Sequence, residues 1–123
     1  MLINDFFKVT SLSGEAASFR ALLTVNAQHR IFEGHFPGQP VVPGVCLMQM
    51  VQELTELALG NGTLRLSRAD QMKFISPLDP WKVGELEMKL DLMQKENGVM
   101  QVAASLLNAG KPCFKFSGVF VRE

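Results

Sequence analysis

Cysteine, an excess of charge of either sign and long apolar runs are all scarce in this sequence, and each scarcity removes a class of protein. Cys46 and Cys113 are the two cysteines. They are too few for a disulfide scaffold and lack zinc-site spacing, so free buried thiols in a reducing compartment are expected. Twelve basic and twelve acidic side chains leave a net charge of zero and a pI near 6.7. Such a chain has no basic field for nucleic acid. No apolar run approaches the roughly 20 residues that a membrane helix needs. The first residues lack a basic n-region and an apolar h-region, with Asp5 and Lys8 interrupting the early phenylalanines. No signal peptide and no membrane contact are expected, and the expected location is cytoplasmic. There is no internal repeat or low-complexity linker. At 123 residues, 47% hydrophobic and 20% charged, the chain suits a single folded domain over 1–123.

The most unusual stretch is Gly34-His35-Phe36-Pro37-Gly38-Gln39-Pro40-Val41-Val42-Pro43-Gly44. Its glycines and prolines favour an irregular, stiff path over strand or helix. It holds His35, one of two histidines, and runs into an apolar segment that reads as a helix from about Val45 to Leu59. Apolar residues cover most of that helix, so burial is expected. Gln49, Gln52, Glu53 and Glu56 recur at spacings of three and four and form one polar stripe. That stripe reads either as a solvated edge or as a face turned to an interface or a substrate tunnel. Gly60-Asn61-Gly62 is a helix stop.

Before the loop, Phe6 to Leu12 is β-prone, Ser13-Gly14 reads as a turn, and Ala17 to Val25 reads as the returning strand. Asn26 to Glu33 reads as a connector in which His29 is a surface residue. After the helix the period changes to two. Leu64 and Leu66, then Met72-Lys73-Phe74, alternate with polar neighbours; Pro77 to Gly84 is a loop. Leu86, Met88, Leu90 and Leu92 form a strand with one wet face. Glu96-Asn97-Gly98 signals a hairpin, Met100 to Leu106 return, and Phe114, Phe116 and Phe120 share a face of the last strand. One early buried helix followed by long antiparallel strands is an α+β pattern. A single helix is covered on all sides only if the sheet curls around it.

The loop Gly34-His35-Phe36-Pro37-Gly38-x-Pro40-x-x-Pro43-Gly44-Val45, leading into an apolar helix, resembles the signature of the β-hydroxyacyl-(acyl carrier protein) dehydratases. The resemblance implies the hotdog fold and a dimer with one continuous sheet. It also implies a site shared between subunits and elimination of water from a 3-hydroxyacyl thioester in fatty acid or polyene synthesis. It implies no metal and no cofactor; the partner is acyl carrier protein. By this likeness His35 is the base that takes the C2 proton, and the Gly44 amide polarises the thioester carbonyl. A helix N-terminus suits that role, because its first N–H groups lack internal acceptors. Phe36, Pro43, Val45 and Met48 are the expected tunnel lining. The family's acid falls at Gln49, and the glutamine that often follows four residues later falls at Glu53. Glutamine cannot act as a general acid, and Glu53 lies about 6 Å further along the axis. Either Glu53 or a water held by Gln49 is expected to handle the leaving hydroxyl.

Two alternatives accompany this reading. The chain could be a half-site subunit in a heterodimer with another hotdog chain, or a thioesterase using Glu53. Cys46 fits the buried helix pattern better than a nucleophile, and the methionines at 48, 50, 72, 88, 93 and 100 fit the core or the lining of an adaptable acyl tunnel. Arg65, Arg68 and Lys73 either meet an acidic carrier protein or line a solvated strand face.

Overall fold

The structure is a computed structural model that describes residues 1–34, 38–60 and 62–123. Two strands, β1 (Phe7–Glu15) and β2 (Ser18–Val25), form the first hairpin. A one-turn helix, α1 (Ile31–Gly34), and the long helix α2 (Gly44–Leu59) follow. Four more strands complete the chain: β3 (Leu64–Phe74), β4 (Leu86–Gln94), β5 (Val99–Asn108) and β6 (Lys111–Arg122). All pair antiparallel in one six-stranded sheet of order β1-β2-β4-β5-β6-β3.

Alternation decides which face of the sheet is dry. Leu86, Met88, Leu90 and Leu92 of β4 are buried, as are Met100, Val102, Ala104 and Leu106 of β5. Phe114, Phe116 and Phe120 continue that face on β6. Against it α2 lays Cys46, Leu47, Met50, Val51 and Leu54. Fully burying one such leucine contributes roughly 1.5–3 kcal/mol. The sheet curls around α2, which is the hotdog arrangement. Burial of α2 is nonetheless uneven: Val45 and Leu57 are exposed, whereas Glu53 and Thr55 are buried.

One local expectation is corrected. Ser13-Gly14 does not turn; β1 continues through it to Glu15, and the reversal falls after Ala16, whose φ is +58°. Gly14 is needed inside the strand instead, because a Cβ there would sit 2.2 Å from the Ser18 carbonyl oxygen. The connector after Asn26 runs into the one-turn helix α1. Other junctions follow the sequence. Gly60 closes α2 in the left-handed region, its N–H donating to the Glu56 carbonyl. Asn97 and Gly98 take positive φ at the β4–β5 hairpin.

The sheet has two outer strands, β1 and β3. Of the 11 residues of β3, Leu64 is buried and Leu66 half-buried, while the other nine are exposed. A strand with one paired edge and both faces wet is a template for pairing with another chain. At its C-terminal end Met72 and Phe74, with Ile75 just after the strand, add exposed apolar side chains.

Candidate functional site at the start of the long helix

The site is built where α2 begins. Pro43 precedes the helix with φ −63° and ψ 144° and offers no side-chain cap. Its carbonyl accepts from the Cys46 and Leu47 N–H groups. Among the described residues, the N–H groups of Gly44 and Val45 have no acceptor. Unpaired donors at the positive end of a helix dipole form an oxyanion or anion site. Val42 fixes the entry to this turn by donating its N–H to the Leu78 carbonyl, 2.9 Å away.

A cavity of about 360 Å³ opens beside this turn, lined by Val41, Val42, Gly44, Leu47 and the segment Phe74–Leu78. The Phe74 ring lies directly over Gly44: a Cβ there would be 2.8 Å from two ring carbons. Glycine therefore lets the aromatic wall approach the helix start. Pro43 is buried, Val45 is exposed and Met48 is half-buried. The expected base His35, and Phe36 and Pro37 with it, lie outside the described residues. So does Asn61 of the expected helix stop.

The polar stripe of α2 is neither a bare solvated edge nor a row of free groups. Gln52 donates its side-chain amide to the Leu64 carbonyl, and the Leu64 N–H donates to Glu56. Both backbone groups at the start of β3 are thereby held by the helix. One turn earlier, the buried Glu53 carboxylate accepts from the Leu2 and Ile3 N–H groups. It also accepts from the Gln49 side-chain amide at 2.9 Å. The stripe fastens two chain segments to the helix, one from each side.

Other candidates resolve in different ways. Cys46 is buried, and burial pushes its thiol up from the ordinary range, as it does for Cys113. Desolvation by burial leads in both, the opposite of the thiol activation a reactive cysteine needs. Arg68 is paired with Asp70, while Arg65 and Lys73 are exposed along β3. His29, expected on the surface, has a side chain only 15% exposed. Its Nδ1 accepts from the Ile31 N–H, which leaves Nε2 to face the Asp5 carboxylate at 3.1 Å. The ring also meets Phe6 edge-on. No local pattern announces this pairing, because Asp5 and His29 are 24 residues apart.

A curled antiparallel sheet around one helix, with a cavity at the helix N-terminus, defines a hotdog-fold protein. Its relatives narrow the class. A 3-hydroxyacyl-(acyl-carrier-protein) dehydratase FabZ from Ruegeria sp. is 30% identical over 112 residues, covering 90% of this chain and 65% of that protein. A FabZ from Herpetosiphon aurantiacus is 28% identical over 91 residues, covering 69% of this chain and 64% of that protein. The chain thus spans about 65% of the length of these relatives. Among solved structures, the dehydratase heterocomplex ApeI:P from Xenorhabdus doucetiae matches with a TM-score of 0.72 at 22% identity. That match covers 93% of this chain and 96% of that one. The model of the ApeI-like family, described as ApeI dehydratase, matches residues 11–116, and the chain belongs to that family.

Proposed function

We propose that this chain eliminates water from a 3-hydroxyacyl thioester carried by acyl carrier protein, giving a trans-2-enoyl thioester. The observation that carries the reading is the pair of N–H groups at Gly44 and Val45 that have no acceptor among the described residues, beside a cavity of about 360 Å³. The thioester carbonyl accepts from Gly44, which stabilises the oxyanion that develops as C2 loses its proton. His35 takes that proton. The C3–O bond then breaks, and the imidazolium returns its proton to the departing oxygen through a water held at Gln49, so that water leaves. Gln49 accepts and orients but releases no proton. Val41, Val42, Leu47 and the segment Phe74–Leu78, which line that cavity, guide the acyl chain. No metal or cofactor enters this scheme.

The same reading makes the functional unit a dimer. The outer strand β3, exposed on both faces and ending in Met72 and Phe74, supports pairing with a second hotdog chain, either another copy or a different subunit. A different subunit is favoured by two observations: the family acid is replaced by Gln49, and a structural neighbour is a heterocomplex. Among the described residues no helix is long and apolar enough to cross a membrane.

The test is turnover of 3-hydroxyacyl carrier protein followed by mass spectrometry, with the chain alone and mixed with a second hotdog subunit. Enoyl product that disappears in His35→Ala and falls in Gly44→Ala is expected. Release of free carrier thiol with no enoyl product would replace this reading with thioester hydrolysis.

A further inference from the structure

We propose that Glu53 is a positioning residue that ties the N-terminal segment to Gln49 and fixes which end of the Gln49 amide faces the site. This rests on the dehydratase reading for its kinetic consequence, but its geometry stands apart from it. Glu53 is 2% exposed. A carboxylate so buried is costly without partners, and here it has donors on both sides. Leu2 N–H reaches its two oxygens at 3.0 and 2.8 Å, and Ile3 N–H reaches Oε1 at 2.8 Å. The remaining donor is Gln49 Nε2, at 2.9 Å from Oε2.

The choice of groups matters. A carboxylate offers only acceptors, so Gln49 must turn its NH2 end toward Glu53. Its Oε1 then faces away, and among the described residues nothing donates to it. Position 49 therefore presents an acceptor, the group that can receive the C3 hydroxyl or a water proton. Leu2 and Ile3 hold the carboxylate in this pose. Leu2 in turn accepts through its carbonyl from Asp5, Phe6 and Phe7, and Phe6 and Phe7 are buried in the core. Docking of the first residues and orientation of the Gln49 amide are one hydrogen-bonded unit.

Substitution of Glu53 by glutamine reverses the polarity of that unit. In Glu53→Gln the new side chain must give its oxygen to Leu2 and Ile3. Its NH2 then faces Gln49, which must turn its own oxygen inward and present NH2 outward. We expect Glu53→Gln to fold and to lose about tenfold in kcat with little change in KM, the scale of one transition-state hydrogen bond. In a Gln49→Ala background the same substitution should cost nothing further. The swap Gln49→Glu/Glu53→Gln restores an outward acceptor and should recover most of kcat.

A separate readout is the NMR signal of the Leu2, Ile3 and Gln49 side-chain amides. The Leu2 and Ile3 amides should stay protected from exchange in Glu53→Gln and lose protection in Glu53→Ala, and the Gln49 NH2 signals should move in both. An equal loss of kcat with and without Gln49 would overturn the positioning role. So would unchanged Leu2 and Ile3 exchange in Glu53→Ala. Absence of enoyl product in the wild-type protein, alone or with a partner, would instead refute the dehydratase reading and leave the amide signals to decide the role of Glu53.

Discussion

Gly118→Ala is a severe test of how the sheet carries the site. Gly118 lies on β6 opposite Ala69, where β3 shifts register between Leu66 and Arg68 and again between Ala69 and Gln71. A Cβ at 118 would stand 2.5 Å from the Arg68 carbonyl oxygen and 2.7 Å from a ring carbon of Phe116. Ordinary contact begins near 3.4 Å, so β3 would have to retreat by most of an ångström against its own ladder. The Phe116 ring cannot yield easily, because it is buried against Phe120. Overpacking of this kind costs about 1–3 kcal/mol; the stiffer unfolded chain of an alanine variant offsets about 0.4–1 kcal/mol of it, a gain that Gly84→Ala shares, so the difference between the two variants keeps the packing cost. The estimate is about 2 kcal/mol, or roughly 6–10 °C in Tm for a chain of this size. Gly84→Ala is the control, since a Cβ there meets nothing within 4 Å and its φ is not positive. Urea unfolding followed by circular dichroism, at one fixed protein concentration, gives the comparison. A Gly118→Ala midpoint equal to that of Gly84→Ala would refute the close-approach argument.

Two further outcomes follow from the same reasoning. Gln52→Ala together with Glu56→Ala releases both backbone groups of Leu64, so amide exchange near the start of β3 should quicken by about tenfold or more while β4 and β5 keep their protection. Because burial raises both thiols, the unfolded chain loses its cysteine protons first as pH rises. Stability from this source is therefore fully present below the ordinary thiol range near about 8.5 and declines above it. Alkylation of Cys46 and Cys113 at pH 8 should track unfolding; rapid labelling of the folded protein would contradict their burial.

The elements that were legible in advance were those whose information is local. The β4 and β5 alternation, the Gly60 stop and the Asn97-Gly98 hairpin each depend on neighbouring residues and backbone sterics, and each formed as expected. Gly14 was misread because a glycine signals conformational freedom without saying whether a turn or a close neighbour requires it. Here the neighbour is the Ser18 carbonyl across the hairpin. Val45 and Leu57 were expected to be buried with the rest of α2. Their exposure depends on which parts of the helix the rest of the chain covers, which periodicity alone does not encode.

For the site, the sequence by itself determined the glycine at the helix start, the histidine in the loop before it, and Gln49 and Glu53 one turn apart on the helix. These are matters of residue type and spacing. Only the tertiary structure decided what the polar stripe does. Glu53 meets Leu2 and Ile3 across about 50 residues of chain, and Gln52 and Glu56 meet Leu64 around the end of the helix. A polar stripe specifies donors and acceptors but not their partners. Those are fixed when the sheet closes around α2 and brings distant backbone groups within hydrogen-bond reach.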